Sequence, residues 1–586
     1  MNHMSKPTNA FSDPAIPTLE QVRDQIAADY GIEHQKRMDM VSAINAIGKW
    51  LDLPLSIMPA SAEFLRQRLK TENSLTLGVS KRRLQNVRSL VLRALRQVGL
   101  STKLASYQMP MNDTWQALYD RLPGRYERTA FSRLFRYCSK AGIRPEDVNN
   151  AVLDDYLVAL IEESLRKDPR TIHQTVCRLW NKMCDAVDGW PGSEVIVPGY
   201  DDRIYRIDDD LIHPDLHAAI DGYLGFLAGD SLFDGLKRPF RPVSIDAVTG
   251  HLRRYVSALH HDGFDISTLR RLDDLTRPEV FERAMEWFWR RNGNKTSKHI
   301  GEIAWVIRCI AVKHLECDEE TELYYAAALQ KLRVAHHGLS PKNQKMLSQF
   351  DDPEVVRRFV KLPDLLWQLA EKEGKTKKGS LYAQIAVAIE ILIFAPMRLK
   401  NLRNLRLDRH IGRIGEHVSI TVPAEEVKNR ERLHFKLPRR LSERIRSYVD
   451  VWRCLFFDDA NPHLFPGRNG KPKDETALRR QITRYAFEHG GVRITPHQFR
   501  HGAAKLLLDA KPGHYEVVRK ILGHKNITTT YEHYAGAETQ AAVELYDDVI
   551  LGLKDDPGGD SGRDRKNNED LRYLDPFNPF LNGRRR

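Results

Sequence analysis

Side chains capable of joint chemistry fall in one stretch, TPHQFRHGAAKLLLDAKPGHYEVVRKILGHKNITTTYEHY at residues 495–534: His497, Arg500, His524, Tyr531 and Tyr534. A phosphodiester resists attack because the nucleophile meets an anion and charge builds on the non-bridging oxygens in the transition state. Forked guanidinium donors fixed at those oxygens offset that charge. A phenol with a pKa of about 10 is only about a thousandth ionised at neutral pH, so it needs neighbours to act as a nucleophile. Imidazoles, a guanidinium and a phenol in this order therefore point to a phosphate-directed site with a phenolic nucleophile.

Local signals say which elements must position them. Thr495 is a good N-cap, Pro496 suits a first helical position and Gln498 completes a capping box, so a helix starts here with His497 and Arg500 on one face. Its amides and dipole attract an anion. A second helix spans about His514–Leu522 and is stopped by Gly523, with His524 just beyond. A third begins near Thr528–Thr530, whose hydroxyls can cap it, and carries Tyr531 and Tyr534 on one face. Upstream, the apolar run from Ile385 to Met397, interrupted by Glu390, reads as a buried helix, and the break at Ala395-Pro396 puts Arg398 at an element boundary. The alternation in HVSITVPAEEVKNRERLHFKLP predicts a hairpin with Lys428 at its charged turn. An isolated His is more often a cap or core residue, and an exposed hairpin Lys is ordinarily a solvated charge; the weight lies in the series.

The segments FAPMRLKNLRNLRL, TPHQFRH and ILGHKNITTTYEHYAG resemble the catalytic motifs of the tyrosine recombinases, the phage integrase family. The family's order of Arg, Lys, His-x-x-Arg, His or Trp, then Tyr is met by Arg398, Lys428, His497 with Arg500, His524 and Tyr534. The resemblance covers roughly the C-terminal third. It implies that Arg398 and Arg500 hold the scissile phosphate, that His497 accepts or shares the nucleophile's proton, that His524 hydrogen-bonds the phosphate, and that Lys428 protonates the leaving 5′-oxygen. Lys436 competes with Lys428. Tyr534 lies ten residues after His524 and Tyr531 seven; the family spacing of nine or ten favours Tyr534, with Tyr531 as the alternative. The family's acidic residue three positions after the first Arg is Asn401 here, which leaves the partner that orients Arg398 open. No cofactor or metal is implied: Asp458, Asp459 and His463 lack the spacing of a two-metal nuclease, and a covalent phosphotyrosine conserves bond energy.

At 586 residues the chain needs several cores. Its net charge of +13 favours a polyanionic partner without proving one. Scattered cysteines (Cys138, Cys177, Cys184, Cys309, Cys317 and Cys454) predict reduced thiols in a cytoplasmic protein, and the resemblance implies that it is nucleoid-associated. The expected fold class is mainly α with a small β-sheet in the catalytic domain (α+β). Residues 1–17 read as a disordered leader, 18–105 and 106–190 as helical units, 191–237 as a linker with short helices, and 238–345 as a third helical unit. The catalytic domain is expected at 350–545, and 546–586 as the end of a C-terminal helix with a disordered tail. The helical units share one plan, in which Ser80-Lys81-Arg82-Arg83, Asp168-Pro169-Arg170-Thr171 and Lys295-Thr296-Ser297-Lys298 each open a helix. By resemblance the third is a core-binding domain clasping DNA opposite the catalytic domain.

The resemblance implies a site-specific recombinase or integrase of a mobile element, acting on double-stranded DNA as a homotetramer on two sites, with other recombinases as open partners. A type IB topoisomerase, a telomere resolvase and a non-catalytic DNA-binding accessory factor remain alternatives. Steep salt dependence is common to all of them and cannot separate them.

Overall fold

A computed structural model describes residues 16–554 except 71, 101–109, 166–167, 192–193, 201–204, 231–238, 335–337, 456–460 and 535–538. Most of the expected leader, the tail after 554, parts of the expected linker, and Asp458 and Asp459 lie outside the described residues. The chain divides into two compact units, one to His336 and one from His337.

The described part of the first unit is helical and holds three apolar clusters. Leu19, Ile44, Leu65 and Val91 belong to one, Trp115, Phe131, Phe135 and Trp180 to another, and Leu252, Tyr255, Phe281 and Ile307 to a third. The polar openings read from the sequence are helix starts. Ser80, Asp168 and Ser297 accept backbone N–H groups of Arg83, Arg170 and Ile300, capping helices Lys81–Gln97, Pro169–Ala186 and Lys298–Lys313.

Within the stretch 191–237, read as a linker with short helices, the described residues hold helix Pro214–Ala228, which buries Leu216, Ile220, Tyr223 and Leu227 in the third cluster. Those positions form a helical stripe, which outweighs the Pro/Gly punctuation around them. Among the described residues no helix is long and apolar enough to cross a membrane.

The second unit is helical with one small sheet. Helix Lys377–Phe394 is buried on nearly every side, beside helix Pro353–Glu373. Its Glu390, the interruption in the apolar run, is buried and ion-paired to Arg444, which also meets Asp364 at 2.6 Å. Strands β1 (Ile411–Ile414), β2 (His417–Val422) and β3 (Leu433–Lys436) form an antiparallel sheet in that order, with Ile411 opposite Ile420 and Val422 opposite Leu433. β2 and β3 are the predicted hairpin pair; β1, mostly exposed, adds a third strand. The β2–β3 connection holds a 3₁₀ turn at Ala424–Glu426, and Lys428 follows it. Ser442, in helix Arg439–Ser447, accepts the Val418 N–H at 2.8 Å and ties that helix to β2. Met346, Leu347 and Phe350 pack with Phe359 and Phe499, so the second unit's core begins with helix Pro341–Leu347. Helix Thr539–Lys554 leaves Val543, Tyr546, Val549 and Leu551 exposed.

Candidate active site

The 495–534 stretch forms three consecutive helices, Gln498–Ala510, Tyr515–Leu522 and Ile527–Tyr534. The first starts later than its capping signal suggests, because Pro496 and His497 form a turn before it. Only half of the capping box exists: the Thr495 N–H donates to Gln498 Oε1 at 3.0 Å, and the Thr495 hydroxyl donates to the same oxygen at 2.9 Å. The third starts at Ile527, so Thr528–Thr530 lie inside it instead of capping it.

The second helix ends in a Schellman motif. Gly523, at φ +59°, donates its N–H to Lys520 O, and His524 donates its N–H to Arg519 O at 3.0 Å. This closure fixes three consecutive residues that the site uses. The Leu522 carbonyl accepts Arg500 Nη2 at 2.7 Å, the Gly523 carbonyl accepts Asn429 Nδ2, and His524 projects next.

Arg500 is 4% exposed, and its Nη1 donates to Pro396 O at 2.8 Å. It thereby joins the chain break before Arg398 to the Leu522–His524 turn. Arg398, at the N-cap of the short helix Leu399–Arg403, donates from Nη1 to Asn429 Oδ1 at 3.3 Å. Asn429, not Asn401, is therefore the partner that orients Arg398; the buried Asn401 Nδ2 has no hydrogen-bond partner. Burial and the neighbouring Arg398 pull the Arg500 pKa down to about 10, and burial lowers that of Arg398.

The histidines respond to the same field. Burial, then Arg500, His533, Arg398 and Arg519 hold His524 down at about 4, while its Nδ1 meets the fully buried Thr530 hydroxyl at 3.0 Å. That contact leaves Nε2 as the nitrogen able to meet a phosphate. His497 is shifted below the ordinary imidazole range by burial, Arg500 and Arg398.

Tyr534 is 2% exposed, and its hydroxyl lies 2.8 Å from His501 Nδ1. Burial raises its pKa, opposed by Arg500. Tyr531 is 45% exposed and its ring packs on Tyr515 at 4.3 Å, so the two tyrosines have separate surroundings.

Arg398, His497, Arg500, His524 and Tyr534 thus come together around one cationic locus. Lys428 sits exposed on its margin, next in the chain to Asn429, while Lys436 lies in β3 opposite Ser419. His501 and Asn429 were missed by sequence reasoning. His501 is visible in TPHQFRH, four residues after His497 on the same helical side, but His-x-x-Arg drew the attention. Asn429 stands beside the Lys that was chosen, and only the fold gives it a role.

Comparison with known proteins places this arrangement in context. Residues 366–541, which include Arg398, Lys428, His497, Arg500, His524 and Tyr534, match the Phage integrase family. Tyrosine recombinase XerC of Xanthomonas campestris pv. campestris is 33% identical over 238 residues, covering 38% of this chain and 63% of that protein. Tyrosine recombinase XerD of Chlamydia pneumoniae is 34% identical over 112 residues, 18% of this chain and 36% of that protein. The chain thus spans less than two thirds of the length of these curated relatives. A crystal structure of the XerH site-specific recombinase bound to difH substrate, a pre-cleavage complex, aligns at a TM-score of 0.35 with 15% identity, over 64% of this chain and 95% of that one.

Proposed function

We propose, from the premise that residues 366–541 are a domain of the phage integrase family, that this protein is a site-specific DNA recombinase serving a mobile element. The substrate is double-stranded DNA. The Tyr534 oxygen attacks the scissile phosphorus and the bond to the 5′-oxygen breaks, leaving a 3′-phosphotyrosyl link. The phenolic proton passes to His497, and the departing 5′-oxygen takes a proton from the Lys428 ammonium. Attack by a 5′-hydroxyl of a partner duplex reverses the step and joins the strands. Arg398 and Arg500 hold the non-bridging oxygens, with His524 donating from Nε2. Removing one such preorganised donor typically costs roughly 3–4 kcal/mol of transition-state stabilisation.

The observation that carries this reading is the position of Tyr534 against Arg500, with Arg398 and His524 held in the same field. Assembly as a homotetramer on two sites is supported by the exposed apolar residues Val543, Tyr546, Val549 and Leu551 on the last helix, a surface suited to a neighbouring copy. A cytoplasmic, nucleoid-associated location fits such a substrate.

The test is covalent trapping. A duplex retained by the wild type from a random-sequence pool is nicked near its centre and incubated in EDTA with wild type, Tyr534→Phe and Tyr531→Phe, then run on denaturing gels. An adduct lost only in Tyr534→Phe is expected. Loss only in Tyr531→Phe would move the nucleophile, and a duplex bound by all three without any adduct would make the protein an accessory DNA-binding factor.

A further inference from the structure

The residue in contact with the Tyr534 oxygen is His501, and a chain of hydrogen bonds dictates which of its nitrogens carries the proton. The chain starts from a group whose role is unambiguous. The Thr495 backbone N–H is a donor, so the Gln498 atom it meets at 3.0 Å is the amide oxygen. The other Gln498 atom is then Nε2, which donates to Asn343 Oδ1 at 3.0 Å. This fixes the Asn343 amide in turn and directs its Nδ2 donor at His501 Nε2, 3.4 Å away. A neutral imidazole with Nε2 accepting has its proton on Nδ1, and Nδ1 is the atom 2.8 Å from the Tyr534 hydroxyl.

We propose that His501 is a positioning residue that donates its Nδ1–H to the Tyr534 oxygen, with its tautomer set by the Thr495–Gln498–Asn343 relay. Resting on the phosphotyrosyl reading above, this makes His501 a stabiliser of the phenolate and not its base. As Tyr534 loses its proton, the Nδ1–H bond becomes charge-assisted and strengthens. The imidazole stays neutral because of where it lies: burial, then His497, His533, Arg500 and His524, which all face it, hold its pKa down at about 4. Arg500 is the charged group facing Tyr534. The relay reaches His501 from helix Pro341–Leu347, more than a hundred and fifty positions earlier in the chain, so the nucleophile's setting depends on the first helix of the second unit.

Two measurements test this and separate it from the function it rests on. The first needs no DNA. In full-length protein labelled with ¹⁵N at histidine, the long-range ¹H–¹⁵N pattern of His501, assigned by its loss in His501→Asn, is expected to show the Nδ1–H tautomer at pH 7.5. An Nε2–H pattern overturns the proposal whether or not the protein cleaves DNA. Asn343→Asp should switch that pattern, because a carboxylate accepts from both Gln498 Nε2 and His501 Nε2; retention of the wild-type tautomer overturns the relay.

The second follows adduct formation on the nicked duplex against pH. His501→Leu is expected to slow it roughly 10- to 100-fold at neutral pH, with partial recovery at higher pH as the phenol ionises unaided. His501→Asn, which keeps an N–H near the Nδ1 position, is expected to recover part of the loss. A pH profile of His501→Leu parallel to wild type would reduce His501 to packing. A wild type that binds the duplex without forming an adduct would sink the recombinase reading and leave the tautomer result standing.

Discussion

Replacing Gly523 with Ala should loosen the site from one backbone position. Gly523 has φ +59°, where an L-residue pays about 1–2 kcal/mol. A Cβ built there meets Leu433 Cδ2 at 2.7 Å, and Leu433 is itself buried at the start of β3, so it has little room to give. Overpacking of this kind costs about 1–3 kcal/mol. Together these terms predict about 2–5 kcal/mol against the Schellman closure, or roughly 30- to 5,000-fold faster local exchange. Hydrogen–deuterium exchange over 515–524 in the full chain reads it directly, through the amides of Gly523 and His524 that close the motif. A second arm separates the two terms. Leu433→Val shortens the clashing side chain, so the double variant should fall short of the summed singles by about 1 kcal/mol or more. Exchange within about threefold of wild type in Gly523→Ala, or strict additivity in the double variant, would refute the steric argument.

Other perturbations follow from the same contacts. Asn429→Ala removes the acceptor of Arg398 and the donor to Gly523 O, at about 1 kcal/mol each, so adduct formation should drop roughly tenfold or more while duplex affinity at fixed salt is retained. Acid should weaken the second unit between pH 6.5 and about 4. His501 and His524 have folded pKa values of about 4, so the unfolded chain binds protons first as pH falls, and stability declines until the folded imidazoles also titrate. The loss approaches about 3 kcal/mol for His501 and less for the more exposed His524, measurable from urea midpoints at stepped pH. Arg444→Met should cost about 3–5 kcal/mol by stranding Glu390, with Glu390→Leu in the same chain recovering much of it in thermal melts.

The parts of the site that were legible in the sequence are those with local causes. Gly523 after an apolar helix announces a left-handed stop, and Pro396 announces the break before Arg398; both hold. The fold class was legible for the same reason, since helical stripes and the β2–β3 alternation are periodic signals. What stayed hidden depends on distant partners. Thr528–Thr530 look like caps by residue type, yet Thr530 is spent on His524 from inside the helix. Asn429 and Asn343 carry no local signature at all; the first acts through Gly523 and the second through His501, each brought in by tertiary packing. β1 is short and mostly exposed, so it lacks the alternation that marks β2.

The way the guanidiniums are anchored has a consequence for what the protein can recruit. Arg398 is steadied by a side-chain amide and Arg500 by two peptide carbonyls, all neutral oxygens. A guanidinium held by a carboxylate arrives already compensated, and an incoming anion must displace or compete with the acid. Here the anchors fix direction while neither guanidinium is ion-paired among the described residues, so an arriving anion meets both unit charges. Burial first, and the neighbouring cations second, keep His501 and His524 from charging; a bound anion would offset the second part and let them take up protons more readily, linking occupancy to proton uptake.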